Sequence, residues 1–222
     1  MAPNVFGNPI TDKTLKALPE YASKAVITSE DRAQVALNLK DKNAVKFAEE
    51  LGRTQFPEDV RVLGTIYNAT GHTLTFAYDH DWSGHVDDKY SYPPTIENGQ
   101  WGVFLHIGDC RENVIGGPKE SIAAAVYYAN NGLVGGFCKW VFAWYNKWSA
   151  DKMIHENKVF TEFEAPQTVE QNWDAVLQKL KNSNQNPAVS TAYGFIATVL
   201  IGNGNTPPLN GTITLALPPI NA

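Results

Sequence analysis

The groups able to do chemistry gather in the stretch from Asp79 to Asp88. His80-Asp81 and His85 carry nitrogen and oxygen ligands that suit a divalent ion. Their spacing matches no zinc pattern, and the histidines at 106 and 155 fall far along the chain. Asp79, Asp81, Asp87 and Asp88 crowd the same stretch without the ligand order of an EF-hand, and spacing along a chain does not define a glycosidase pair. Unpaired carboxylates stay in water, so these read as solvated side chains. There is no Gly-x-Ser-x-Gly elbow, and neither Cys110 nor Cys138 has a histidine nearby in sequence. Gly202-Asn-Gly-Asn opens no helix and is no phosphate loop. The residues therefore point to a non-enzyme with no catalytic group, no metal ligand and no cofactor.

Aromatic side chains offer a different chemistry. The chain has six Trp and nine Tyr, residues that combine a large apolar body with a polar tip. Trp82, Tyr90 and Tyr92 lie in a long polar stretch beside Ser83-Gly84 and Pro93-Pro94, and Trp144, Tyr145 and Trp148 approach a second, from 146 to 157. Such stretches read as surface loops, where several large rings lower solubility unless they bind something. Their amphipathic rings suit a bilayer interface or a sugar face, and their π-faces suit a quaternary ammonium. Alternation places Trp140, Phe142 and Trp144 on one side of a strand, with Trp140 and Phe142 expected in the core.

The elements that must position these groups are mainly strands. Val60–Tyr67, Thr73–Tyr78, Gln100–Ile107, Ile122–Tyr128, Phe137–Trp144, Lys158–Phe163, Thr191–Ile201 and Thr212–Leu217 have strand patterns. Gly- and Pro-rich segments such as Gly116–Pro118, Gly135-Gly136 and Gly202–Pro208 separate most of them. Residues 1–54 read as a helical segment, with a cap at Thr11 or Asp12 and a capping box at Thr28–Asp31. Ala33, Leu37, Ala44, Phe47 and Leu51 mark a buried side before Gly52. Asn172–Lys181 reads as one more helix, with Trp173, Val176, Leu177 and Leu180 on the face that docks on a sheet. The expectation is a mainly β sandwich over 55–222, with helices at its edges.

Composition narrows the partners. Hydrophobic residues at 43% and charged residues at 18% suit a folded domain, and a net charge of −5 argues against nucleic acid as the main partner. No basic, apolar leader opens the chain and no apolar run approaches a membrane span, so the expectation is a soluble cytoplasmic product acting peripherally on outer membrane surfaces. Two cysteines make no framework, and whether Cys110 and Cys138 pair depends on their separation in space.

Blocks along most of the chain carry a family resemblance. Val5-Phe-Gly-Asn-Pro-Ile-Thr, Asp31-Arg-Ala-Gln-Val-Ala-Leu, Tyr67-Asn-Ala-Thr-Gly, His80-Asp-Trp-Ser-Gly-His and Asn98-Gly-Gln-Trp-Gly resemble the jasmonate-induced proteins of plants, a family that includes the mushroom lipid-binding protein nakanori. The resemblance implies an actinoporin-like β-sandwich. It also implies binding to sphingomyelin–cholesterol complexes at cell surfaces. Trp82-Ser-Gly84 is similar to an Arg-Ser-Gly turn of actinoporins, whose Ser helps hold phosphocholine, which assigns that role to Ser83. Phe142-Ala-Trp-Tyr-Asn-Lys-Trp148 resembles their strand and aromatic loop, with Ala143 in place of a headgroup-binding Ser. The expected headgroup site is thus Trp82, Ser83, Tyr90, Tyr92, Trp144, Tyr145 and Trp148, between loops at 80–92 and 144–152. A glycan-binding lectin and an actinoporin-type pore former are the rival functions.

Overall fold

The computed structural model describes residues 4–40, 60–110, 119–132, 136–168 and 171–216. Its organisation follows from two long strands, β8 (Lys119–Asn130) and β9 (Phe137–Ser149), which pair antiparallel along almost their whole length. On β9, Trp140, Phe142 and Trp144 point inward. Opposite them on β8 stand Tyr127, Ala125 and Ala123. A ring facing an alanine across the ladder has room to lie flat against the sheet, which lets bulky aromatics fill a layer about 10 Å thick.

β9 continues into β10 (Ile154–Glu164), and β8 pairs on its other side with β3 (Leu74–Ser83), which meets the short β5 (Thr95–Ile96). A two-residue strand, β7 (Asp109–Cys110), adds to β8. The second sheet runs β1 (Val5–Phe6), β6 (Trp101–Ile107), β2 (Arg61–Ala69), β13 (Pro208–Leu215), β12 (Phe195–Ile201) and β11 (Ala188–Ala192), with β4 (His85–Val86) on β6. Every pairing is antiparallel except β13 with β2. Between the sheets lies one core, where Phe104 sits 4.8 Å from the Tyr92 ring and 5.4 Å from Trp144.

Helices cover the outer faces. Thr11 caps α1 (Asp12–Lys16), and Thr28 caps α2 (Ser29–Asn38) in a capping box with Asp31, as the sequence predicts. Leu15, Ile27, Val35 and Ala36 pack on Tyr67, Ala69 and Trp101 of the second sheet. The Tyr67 hydroxyl donates to the Ala36 carbonyl, and the Asn98 amide donates to the carbonyls of Ile10 (3.1 Å) and Arg32 (3.0 Å). α3 (Trp173–Asn182), capped by Asn172, lies on the outer face of the first sheet, where Val176 and Leu180 meet Ile122, Ala124 and Ala143. Alanines on both faces of β8 thus admit rings from inside and a helix from outside. The helical pattern read at Ala44, Phe47, Leu51 and Gly52, the boundary at 54/55 and the turn at Gly116–Pro118 lie outside the described residues.

Three sequence readings change. Leu37, read on the buried side of its helix, is exposed, and α2 buries Ala33, Val35 and Ala36 instead. The run Thr191–Ile201 is two strands, β11 and β12, joined by a tight turn with positive φ at Tyr193 (52°) and Gly194 (76°). A Tyr in place of the usual Asn or Gly hid that turn. The presumed loops at 80–92 and 144–152 are partly strand, because β3 extends to Ser83 and β9 to Ser149.

Leu15, with no exposed surface, ties the N-terminal segment to the sandwich. Leu15→Ala should lower the unfolding free energy by about 2–5 kcal/mol. In urea titrations, fluorescence and circular dichroism should keep coincident transitions, whereas separate transitions would show that this segment folds independently.

Candidate functional site

A cleft of about 620 Å³ opens on the outer face of the first sheet, at the end where β3, β8 and β9 approach the C-terminal turn of α3. Alternation along β9 turns Tyr145 and Lys147 toward α3, away from the core. β3 reaches the same place through a register shift between Asp81 and Ser83, an irregularity of the kind that re-aims a side chain at the end of a strand. Trp82 and Ser83 line one wall with Gly84; Leu177 and Lys181 of α3 line another. Asp81 of β3, Glu120 and Ile122 of β8 and Asp109 of β7 complete the lining.

The cleft carries both charges. Glu120 and Lys147 are cross-strand partners joined at 2.9 Å, and His85 meets Asp109 at 3.1 Å. The Lys158 ammonium lies 6.0 Å from the centre of the Tyr145 ring and donates to the Lys181 carbonyl. Trp82 is half-buried, edge-on to the rings of His80 (4.9 Å) and Trp173 (6.0 Å). Aromatic faces and carboxylates favour a cation; ammonium groups and a hydroxyl favour a phosphate. A zwitterion bearing both would find complementary groups within one cleft.

Of the seven expected site residues, Trp82, Ser83 and Tyr145 come together here. Trp144 and Tyr92 do not reach the surface. At 0% and 6% exposure they belong to the inter-sheet core, Trp144 because alternation continues one step past Phe142 and Tyr92 because it stacks on Phe76 at 5.3 Å. Trp148 is half-buried on the other face of β9, 5.3 Å from the ring of its cross-strand partner His155. Tyr90 packs over Leu63, Val103 and Leu105 on the outer face of the second sheet, with the Lys89 ammonium 5.0 Å from its ring centre. Sequence reading missed Lys147, which alternation from Tyr145 would have supplied, and Asp109, Glu120, Leu177 and Lys181, which only the tertiary fold brings in. It also missed Met153 and Ile154 near the tip of the β9–β10 hairpin, exposed at 71% and 52%. Among the described residues no cluster of three metal-ligating side chains occurs.

Beneath the cleft runs a polar chain that is buried up to its last member, Asp81, which lines the cleft. The Trp144 indole N–H donates to Ser121 Oγ (3.1 Å), Ser121 Oγ meets His106 Nδ1 (2.8 Å), and His106 Nε2 meets Asp81 Oδ1 (3.1 Å). These are the residue types of a nucleophile, a base and an acid, in line. Ser121 and His106 have no exposed surface, so no substrate atom reaches the hydroxyl and the chain acts as an interior strut.

Two sheets packed face to face, with helices over their outer faces, define a mainly β sandwich. The family model described as Nakanori-like protein matches residues 6–216, and the chain belongs to that family. It is 36% identical over 214 residues to the 23 kDa jasmonate-induced protein of Hordeum vulgare, covering 93% of this chain and 95% of that protein. A jasmonate-induced protein homolog of Atriplex canescens is 30% identical over 117 residues, 52% of this chain and 58% of that one. The crystal structure of the lipid binding protein Nakanori superposes with a TM-score of 0.80 at 25% identity, covering 95% of this chain and 99% of that one.

Among the described side chains, the cysteine thiol is closed off. Cys138 is a free, buried thiol whose pKa burial pushes up to about 12. At pH 8 iodoacetamide should leave Cys138 unlabelled in the folded chain and label it in urea, read by peptide mass spectrometry; rapid native labelling would contradict its burial.

Proposed function

We propose that this chain binds membrane lipid through a phosphocholine headgroup seated in the cleft, with selectivity for sphingomyelin presented together with cholesterol. The convergence of Trp82, Ser83, Tyr145 and Lys147 in one cleft carries the proposal. Trp82 and Tyr145 offer π-faces to the trimethylammonium group, with Asp109 and Glu120 supplying negative charge nearby. Ser83, Lys147 and Lys181 offer donors to the phosphate. That the related Nakanori is a lipid binding protein supports the same reading.

The β9–β10 hairpin supplies the second half of the contact. Lys147 in the cleft and Met153 near the tip lie on the same hairpin, so a headgroup in the cleft brings the tip to the bilayer surface. Met153 stands at a positive φ (55°) and is exposed with Ile154. Two apolar side chains there would enter the interface, flanked by Lys152 at headgroup level. Sterol acts indirectly, by changing how densely the headgroups are presented. Binding of this kind is peripheral, and among the described residues no helix is long and apolar enough to cross a membrane.

Flotation with vesicles of sphingomyelin and cholesterol, of sphingomyelin alone, and of phosphatidylcholine and cholesterol tests the proposal. Binding should be strongest to the first. Trp82→Leu and Tyr145→Leu, which keep apolar packing but remove the π-face, should each weaken it about tenfold. Met153→Asp with Ile154→Asp should weaken vesicle binding and leave affinity for soluble phosphocholine unchanged. Equal binding to every choline membrane would remove the selectivity. No binding would end the proposal, and displacement by free glycans but not by vesicles would replace it with a lectin function.

A further inference from the structure

The chain Trp144–Ser121–His106–Asp81 runs from the core up to the cleft: Trp144, Ser121 and His106 are sealed, and Asp81 is itself part of the cleft lining. Asp81 precedes Trp82 and Ser83 on β3. Ser121 stands between Glu120 and Ile122 on β8. Trp144 precedes Tyr145 on β9. On β8 and β9 neighbouring residues face opposite sides, so whatever fixes the inward set also fixes the outward set. On β3 the register shift lets Asp81, Trp82 and Ser83 all reach the cleft, so a bond to Asp81 holds that segment directly. His106 comes from β6 of the other sheet and reaches two of these strands directly, through Asp81 and Ser121, and the third through Ser121 and Trp144.

From these positions we infer that His106 is a positioning residue for the headgroup cleft, clamping the ends of β3, β8 and β9 from beneath so that Trp82, Ser83 and Tyr145 are held in register. The inference rests on the cleft proposed above as the lipid site. With a proton on Nε2, every group in the chain is used in one direction. The indole N–H donates to Ser121 Oγ, the Ser121 hydroxyl donates to Nδ1, and Nε2–H donates to the Asp81 carboxylate. Trp144, Ser121 and His106 are sealed and paired, which specifies one arrangement, because each lost bond leaves one of these three unpaired in a low-dielectric interior.

The fit around the imidazole is equally particular. Gly84, the residue after Ser83, has a φ of 95°, and a Cβ there would stand 2.5 Å from His106 Cε1 and 2.3 Å from the Ile107 carbonyl oxygen. The turn that presents Ser83 therefore closes directly onto the ring. On its other side the imidazole stands edge-on to Trp144, with ring centres 5.2 Å apart. A histidine with no exposed surface thus touches the β3–β4 turn and bonds to two of the strands that build the cleft.

Hydrogen exchange of the full chain, compared with binding of soluble phosphocholine, tests this role. Ser121→Ala removes one hydroxyl and should speed exchange in peptides covering 79–86 and 119–124, leaving the β12–β13 pair as protected as before. His106→Leu should do the same more strongly. His106→Gln, whose amide nitrogen can still donate toward Asp81, should restore protection at 79–86. Phosphocholine affinity should fall about tenfold in Ser121→Ala and His106→Leu and recover partly in His106→Gln. The Trp144 indole N–H resonance should shift when phosphocholine is added to the wild-type chain, although that side chain touches no ligand. Unchanged exchange at 79–86 in Ser121→Ala overturns the positioning role, as does wild-type affinity in that variant. If the wild-type chain binds no phosphocholine, the lipid proposal fails, and the exchange data still decide whether His106 holds these strands.

Discussion

Everything in this sandwich depends on how β8 and β9 divide space between their two faces. Inside, Trp140, Phe142 and Trp144 stand opposite Tyr127, Ala125 and Ala123, and the rings of Phe142 and Trp144 meet Phe104 from the opposite sheet. Outside, Ala124 and Ala143 are small enough for α3 to seat Val176 and Leu180. A larger side chain at either alanine would lift the helix, because interiors packed near crystal density accommodate added volume poorly. The same strand pair therefore organises the core, docks the helix and ends in the cleft.

The cleft is a by-product of where that packing stops. α3 ends near Lys181, β3 breaks register at Trp82, and β9 continues beyond the helix to Lys147. Past the last helical turn no other described helix covers the outer sheet face, and Trp82, Tyr145 and Lys147 stay half-exposed among the described residues. Aromatic rings from the covered region and charged groups from the uncovered region then share one boundary. Such a boundary suits a ligand with both a methylated cation and an anion, because neither a purely apolar nor a purely ionic surface satisfies both ends.

Much of the architecture was legible in the residues. The caps at Thr11 and Thr28, the strand cores and the inward stripe on β9 all depend on local spacing, which period-two and capping patterns report directly. Strand ends were less legible. Trp82 and Ser83 sit among Asp, His and Gly, and Trp148 among Asn, Lys and Ser, compositions that resemble loops although the backbone still pairs. Tyr193 concealed a tight turn for the opposite reason, since a β-favouring aromatic occupies a position where turn chemistry usually calls for Asn or Gly.

By itself, the sequence determined the class of fold, the covering helices and the presence of surplus aromatic rings, because these follow from residue types at short separations. It also put Trp82, Ser83 and Tyr145 among seven candidates for one headgroup site. Only the tertiary structure decided that these three meet, that Trp144 and Tyr92 are sealed inside, and that Trp148 and Tyr90 face elsewhere. It alone brought His106 between Asp81 and Ser121, which are 25 and 15 residues away along the chain. Which of two faces an aromatic occupies at a strand's end depends on register and on where a helix stops covering the sheet. Those are long-range facts that no local pattern encodes.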